Sequence, residues 1–242
     1  MPEHRTGGRQ LLRQEVTEGI KRYILENDLR PGDPLPTESA LCEALSASRS
    51  SVREAVKTLH ALDIVEVRHG HGTYVGRLSL AALVESLSFR GMLGSGDDMR
   101  AISDLVEARE LLERSMAGQI VAGLGPERLD AMQGLVEVMR KQETRGSDEF
   151  VDADRAFHAH LADASGNGLI GQLSMAFWDV YAVVSPHLNV ISADDEQHTI
   201  AAHQRIVDTA RAADIAGFSE ALTEHYAPVR RRLATAQQHT PA

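Results

Sequence analysis

Apolar residues recur at intervals of three and four along most of the chain, which is the spacing of one face of an α-helix. Near the start, this pattern predicts an amphipathic helix over residues 9–27, followed by a turn-rich connector over residues 29–36. Beyond residue 80, Gly, Pro and Ser breaks divide the same pattern into seven segments: 80–89, 99–124, 126–145, 148–164, 169–184, 193–213 and 214–238. We therefore predict an all-α bundle of six or seven helices over residues 77–242.

Between these parts, residues 36–60 predict two short helices joined by a tight turn at Ser46–Ala47. Thr37 and Ser48 are suitable N-caps for the first and the second helix. Each helix has one apolar side, formed by Leu41, Ala44 and Leu45 in the first and by Val52, Ala55, Val56, Leu59 and Leu62 in the second. The segment is therefore predicted to be a helix-turn-helix.

The start of the second helix has the chemistry of a DNA-reading surface. Arg49 and Arg53 lie four residues apart beside the apolar stripe, with Ser50 and Ser51 next to them and Ser48 at the cap. A guanidinium group can pair with guanine through two hydrogen bonds in the major groove, while hydroxyls and N-terminal amides can bind phosphates. We predict that these five residues contact DNA.

Residues 63–75 predict a hairpin, with strands over 63–68 and 73–75 and a tip at 69–72. Three helices followed by a hairpin make a winged helix-turn-helix domain, which we place at residues 1–76. Gly70 and His69 at the tip could approach a phosphate or enter the minor groove, and a solvated turn is the alternative.

Charge and composition limit how such a domain can work. The net charge is −10, and residues 1–76 carry 10 Lys/Arg against 11 Asp/Glu, a net of −1, which leaves −9 for the rest. Because the front segment is near neutral, binding must depend on locally placed cations and on a dimer. The polar start, the single Cys42 and the absence of an apolar run of about 18 residues lead us to expect a cytoplasmic protein without a membrane segment.

Four polar residues interrupt the apolar stripes of the bundle: Asp154, His158, His203 and His225. Asp154 and His158 are four residues apart, so one helix can direct both towards a single ion. Buried imidazoles and carboxylates need partners, and a divalent transition metal such as zinc, nickel, manganese or iron would supply one. Hydrogen-bonded core histidines are the alternative.

Two further residues point towards a ligand in the bundle. Arg109 lies four residues after Leu105 and three before Leu112, so it faces inward, where a ligand carboxylate could pair with it. An ion pair with Glu113 or Asp154 is the alternative for Arg109. Tyr181 has the pattern of a core residue and is also a candidate for the cavity lining.

Three blocks in the first third, Pro31–Glu38, Ser48–Ala55 and Val67–Val75, resemble in order and spacing the DNA-binding domain of the GntR family of bacterial regulators. The resemblance implies that Arg49 and Arg53 are the arginines of the recognition helix and that Gly70 is the glycine of the wing. Ser39 stands where the family has a further arginine, and Ser46–Ala47 replaces the usual Gly-Val turn.

In the bundle, Asp154–His158, Ala202–Ile206 and Glu224–Tyr226 resemble the ligand motifs of the FCD effector domain, which follows the winged domain in this family. The resemblance implies a metal, commonly zinc or nickel, held by Asp154, His158, His203 and His225. It also implies a small organic acid as effector and a contact between that acid and Arg109.

Together these observations predict a dimeric, ligand-responsive regulator of the FadR-like branch and not an enzyme. We expect a repressor that binds a double-stranded operator with two-fold symmetry, a small carboxylate effector, and zinc as the metal, with nickel or manganese as alternatives. Two other functions remain open: a regulator for which the metal itself is the signal, and a metal-dependent hydrolase.

Overall fold

The computed structural model of the chain describes residues 4–93, 96–141, 147–188 and 193–239. Its backbone divides into two compact units, residues 1–82 and 83–242. The first unit contains three helices and an antiparallel hairpin: α1 (His4–Glu26), α2 (Glu38–Ala44), α3 (Arg49–Ala61), β1 (Val65–Arg68) and β2 (Gly72–Val75). This is the predicted winged helix-turn-helix.

The boundary between the units lies in the first turn of α4 (Ala81–Leu93), and the described residues after it are helices and connections. The remaining helices are α5 (Gly96–Ser115), α6 (Ala117–Gly123), α7 (Pro126–Lys141), α8 (Asp148–Ala164), α9 (Gly168–Val184), α10 (Ala193–Arg211) and α11 (Ile215–His239). A short 3-10 helix, Ser185–Leu188, follows α9. No helix in the described ranges has an apolar stretch long enough to cross a membrane.

The mainly α fold class is confirmed, with one difference in the number of helices. The segment predicted as a single helix over 99–124 breaks at Met116 into α5 and α6, so the described part of the bundle has eight α-helices. The break lets α6 pack against α8, where Gly123 approaches so closely that a Cβ atom would lie 2.3 Å from the carbonyl oxygen of Ala164. The predicted end of α7 at residue 145 lies outside the described residues.

Side-chain caps set the starts of the helices in the first unit. The Thr37 hydroxyl accepts a hydrogen bond from the Ala40 amide, and the Ser48 hydroxyl accepts one from the Ser51 amide. Between α2 and α3, Ser46 has a φ of +48°, a left-handed conformation that favours glycine. The helix-turn-helix therefore forms with serine at this turn.

One apolar core holds the first unit together, and it is formed by Val16, Ile20, Ile24, Leu35, Leu41, Val52, Ala55, Leu59, Val65 and Val75. Two predicted core residues lie outside it. Leu62 is 50% exposed because it caps the C-terminus of α3, and Ala44 is exposed at the end of α2.

The bundle has two apolar clusters. One contains Phe157, Ile206 and Leu222, and the other contains Ile102, Val180 and Tyr226. The predicted metal ligands lie where the clusters meet: the Phe157 ring is 4.5 Å from that of His203, and the Tyr226 ring is 5.2 Å from that of His225. The fold therefore surrounds these polar side chains with packed apolar groups.

Candidate functional site

The start of α3 presents the predicted DNA-reading residues to solvent. Arg49 is the first residue of the helix, and its side chain is exposed. The Ser48 hydroxyl lies 2.9 Å from the hydroxyls of both Ser50 and Ser51. The three serines thus form a small exposed hydroxyl cluster at a helix N-terminus, where amides and the helix dipole favour an anion.

Arg53 has a partner that the sequence analysis did not identify. Its Nε donates a hydrogen bond of 2.7 Å to Oε2 of Glu38 in α2, and both side chains are accessible to solvent. The hydrogen bond and the charge of Glu38 raise the pKa of the Arg53 guanidinium. A base or phosphate would have to share this arginine with Glu38 or displace the carboxylate.

The tip of the hairpin is a tight, exposed turn. Val65 pairs with Val75 and Arg68 with Gly72, so residues 69–71 form the turn itself. Gly70 has a φ of +76°, a conformation that L-residues rarely adopt, and His69 beside it is exposed. The structure therefore places both predicted wing residues where an external phosphate could reach them.

The three predicted histidine ligands meet at one point inside the bundle. His158 comes from α8, His203 from α10 and His225 from α11, and one ring nitrogen of each lies within 4.8 Å of the others. All three side chains are buried, at 1%, 0% and 6% exposure. Three imidazoles from three helices make a cluster that could hold a metal ion.

Each of these histidines has a buried ring nitrogen without a hydrogen-bond partner in the described part of the chain, which is expected of metal ligands and not of hydrogen-bonded core residues. Nδ1 of His158, Nε2 of His203 and Nδ1 of His225 are buried without a hydrogen-bond partner among the described residues. Nδ1 of His203 lies 2.8 Å from the carbonyl oxygen of Thr199 and must carry the proton, because a carbonyl only accepts. Its Nε2 is therefore the nitrogen that faces the cluster, as in metal-binding histidines held by a backbone carbonyl.

Asp154 adds a carboxylate to the histidine cluster. Its Oδ1 lies 3.0 Å from Nε2 of His203 and 3.8 Å from Nε2 of His158. The indole Nε1 of Trp178 donates a hydrogen bond of 2.7 Å to Oδ2, which fixes the orientation of the carboxylate. This bond joins α8 to α9 over 24 residues, so the local sequence pattern does not reveal it.

Burial controls the protonation of the cluster. It lowers the pKa of His158 and of His225 well below the usual value, and neighbouring positive groups lower both further. Burial alone would raise the pKa of Asp154, but the neighbouring His203 and His225 and the hydrogen bond from Trp178 outweigh that effect and lower the pKa. These shifts favour neutral imidazoles at His158 and His225 and an ionised carboxylate at Asp154, which are the forms that bind metal.

These shifts predict that the metal-free protein loses stability in mild acid. The unfolded chain binds protons on His158 and His225 near pH 6.5, whereas the folded chain does so only at lower pH. The contribution to stability is therefore complete above pH 6.5 and decreases as the pH falls towards the folded pKa. Between pH 6.5 and 5.5 we expect the free energy of unfolding to fall by up to about 1 kcal/mol for each group, measured by urea unfolding of chelator-treated protein. An unchanged free energy of unfolding over this range would contradict the assignment.

Glu113 is a site residue that sequence analysis considered only as a partner for Arg109. Its buried carboxylate accepts hydrogen bonds from Arg109 Nε at 3.0 Å, Ser174 Oγ at 2.7 Å and Tyr226 OH at 2.8 Å. It also lies 3.9 Å from Nδ1 of His158. Glu113 therefore links the arginine to the histidine cluster, and its position four residues after Arg109 was the available signal.

Arg109 fits both interpretations offered by its sequence position. It is 5% exposed, and its Nε pairs with Glu113, as in the ion-pair alternative. Its Nη2 nitrogen is buried and has no hydrogen-bond partner in the part of the chain that the structure describes. One side of the guanidinium thus remains for an anion.

A cavity of about 440 Å³ opens beside these groups. Its polar lining includes Asp154, His158, His225 and Arg109, and Tyr181 also lines it. The structure therefore brings the predicted metal ligands and both predicted effector residues to one site, with His203 directly behind its wall.

Comparison with known families identifies the two units. Residues 12–75 match the family described as bacterial regulatory proteins, gntR family, and residues 104–228 match the FCD domain. The chain belongs to the GntR family of bacterial regulators. An FCD domain after the GntR head is the arrangement of the FadR-like subfamily, so the resemblance seen in the sequence is confirmed.

Individual relatives of this GntR-family protein are also regulators. The chain is 35% identical to the transcriptional regulator LutR of Bacillus subtilis over 150 residues, which cover 62% of this chain and 66% of LutR, just under two thirds of its length. It is 25% identical to the galactonate operon transcriptional repressor of Escherichia coli over 88% of this chain and 93% of that protein. The solved structure of Streptococcus agalactiae GntR is 28% identical, with a TM-score of 0.65 over 90% of this chain and 99% of that one.

The family and these relatives are transcriptional regulators and not enzymes, which decides against the metal-dependent hydrolase considered from sequence. The open coordination positions that suggested hydrolysis are equally suited to binding a ligand.

Proposed function

We propose that this GntR-family regulator is a repressor whose affinity for its operator is controlled by a small carboxylate bound at a metal ion in the bundle. One observation carries the proposal. Among the residues that the structure describes, one ring nitrogen of each of the three histidines and Nη2 of Arg109 are buried without a hydrogen-bond partner, and they lie beside one cavity. A metal would satisfy the nitrogens, and a carboxylate would satisfy both the metal and the arginine.

In this proposal, residues 1–76 bind DNA and residues 77–242 bind the metal and the effector. Asp154, His158, His203 and His225 hold a divalent ion, zinc in the first place and nickel or manganese as alternatives, since imidazole and carboxylate donors suit all three. The bound ion supplies positive charge and open coordination positions. Arg109 binds the acid, Glu113 holds Arg109 in place, and Tyr181 contributes to the cavity wall.

The DNA-binding part of the proposal rests on the exposed start of α3. Arg49 and Arg53 read base edges, and the hydroxyls of Ser48, Ser50 and Ser51 bind phosphates. Gly70 and His69 bring the hairpin tip to the DNA backbone. A homodimer in the cytoplasm would present two such surfaces to an operator with two-fold symmetry.

One relative supports the class of ligand. The E. coli relative is named as a repressor of a galactonate operon, and galactonate is a small carboxylate. An acid can change operator affinity only if it binds one arrangement of the dimer more tightly than the other. Effectors of this kind typically change the affinity at the second site by about 5–150-fold.

The test measures operator affinity by fluorescence anisotropy, with DNA selected by the protein from a random pool. Four states are compared: metal-loaded and chelator-treated protein, each with and without members of a panel of small acids that includes galactonate. We expect an acid to weaken binding by at least about fivefold only when the metal is present. A change caused by metal alone would favour the metal-sensing alternative, and tighter binding with acid would make the protein an activator or a corepressed regulator.

A further inference from the structure

The cavity has a second cationic group at the end away from the histidines. His225, Val229 and Arg232 lie on α11 at positions i, i+4 and i+7, and all three line the cavity. Seven residues advance an α-helix by about 10 Å, so Arg232 lies two turns from the metal site on the same face. One helix therefore presents a metal ligand, an apolar side chain and a cation in sequence along one cavity.

Arg232 has an environment suited to an anion. Its Nε is buried, and it has no hydrogen-bond partner within the described ranges of the chain. Its guanidinium carbon lies 5.9 Å from the centre of the Tyr181 ring, which also lines the cavity.

The charges of the lining groups leave an excess of positive charge. Glu113 compensates Arg109 through their ion pair, and Asp154 is the acidic residue in the lining. With a divalent ion bound, the ion and Arg232 together exceed Asp154 by about two positive charges, and buried groups are poorly screened. A ligand with two negative charges would neutralise the site, whereas one carboxylate would leave Arg232 without a counter-ion.

The rest of the cavity lining is mostly apolar. It includes Val106, Phe150, Phe177 and Val229, and the hydroxyl groups in it are those of Tyr181, Ser185, Thr199 and Tyr226. A polyhydroxylated chain would leave most of its hydroxyls unsatisfied there, at a cost for each buried group. The body of the ligand should therefore be hydrocarbon or aromatic.

We infer that the effector is an organic diacid with an apolar body, one carboxylate bound at the histidine cluster and Arg109, and the other bound at Arg232. The inference rests on the proposed function, since it refines the ligand of the same cavity. Long helical side chains lean towards the helix N-terminus, so the Arg232 head lies roughly 5–10 Å from the metal site. With carbon–carbon bonds of about 1.5 Å, this gap suits diacids of roughly five to eight carbons.

Matched pairs of acids test the inference on the metal-loaded full-length chain. Isothermal titration compares glutarate with pentanoate, adipate with hexanoate, pimelate with heptanoate and suberate with octanoate. We expect the best diacid to bind at least about tenfold more tightly than the monoacid of equal length, since a charge-assisted hydrogen bond is the difference between them.

Three variants connect the difference to Arg232. Arg232→Gln should remove the preference for the diacid, lowering its affinity much more than that of the monoacid, and retained binding of the monoacid also shows that the variant is folded. Arg232→Lys should retain part of the preference because it keeps the charge. Arg231→Gln, at the exposed neighbouring position, is the matched control and should behave as the parent protein.

The outcomes separate the inference from the proposed function. Equal binding of diacids and monoacids, or a diacid preference that survives Arg232→Gln, would overturn the inference and leave the metal-dependent carboxylate site intact. Metal-dependent binding of hydroxylated acids alone, such as galactonate, would do the same. If no acid bound the metal-loaded protein, both the inference and the proposed function would fail.

Discussion

Arg49→Ala and Arg53→Ala should each weaken binding to the selected operator by about 1–3 kcal/mol for every base that the arginine no longer reads. Because the proposed homodimer would carry the substitution in both half-sites, the total is about 2–6 kcal/mol, or roughly 30-fold to 10⁴-fold in Kd. Arg53→Ala should lie towards the upper end. It leaves the Glu38 carboxylate, which pairs with Arg53 at 2.7 Å in the parent protein, facing the DNA without a counter-charge.

Fluorescence anisotropy with operator and with unrelated DNA measures this effect. Removing a side chain that reads a base should reduce operator affinity much more than affinity for unrelated DNA, whereas removing one that binds a phosphate should reduce both about equally. Arg22→Ala, which removes an exposed arginine of α1, is the matched control. Unchanged operator affinity in both recognition-helix variants would refute the assignment of this surface to DNA.

Removing the metal should produce the largest change in the stability of the bundle. A ligand present at 1,000 times its Kd stabilises the folded state by about 4.1 kcal/mol. For a unit of this size that corresponds to roughly 8–16 °C in Tm. We expect chelator treatment to lower the unfolding temperature by this amount and zinc to restore it, because the ion supplies partners for three buried ring nitrogens.

For each variant, the unfolding temperature with zinc is compared with that of the same variant without metal, which separates metal binding from packing. His203→Ala should lose most of the zinc-dependent shift, whatever its own metal-free stability, because it removes one ligand. His160→Ala changes a histidine of α8 that does not line the cavity, and it should keep the full shift. Identical melting curves with and without metal for the parent protein would mean that the histidines are structural.

Local chemistry explains why much of the first unit could be predicted from sequence. The caps Thr37 and Ser48 bond to amides three residues away, and the hairpin tip depends on the glycines within it. These interactions lie within a few neighbouring residues, so the order of residues already contains them. The Arg53–Glu38 pair was missed because its partners are 15 residues apart on different helices.

The bundle shows the same distinction at its polar site. Helical spacing alone placed Arg109, His158, His203 and His225 on inward faces, and the structure buries all four. Helical spacing could not show that Glu113 accepts hydrogen bonds from Ser174 and Tyr226, since these residues are 61 and 113 positions away. Nor did it indicate that α5 and α6 separate at Met116, because the apolar period continues through the break.

The sequence by itself therefore determined which side chains face inward over most of the helices and which chemical groups they carry, because the 3.6-residue period and the caps are local properties of the backbone. The tertiary structure alone decided which inward faces meet, and hence that one ring nitrogen of each of three histidines lies within 4.8 Å of the others. It also placed Arg109 and Arg232 beside a single cavity. Distances between helices depend on how many side chains pack together, and no single segment contains that information.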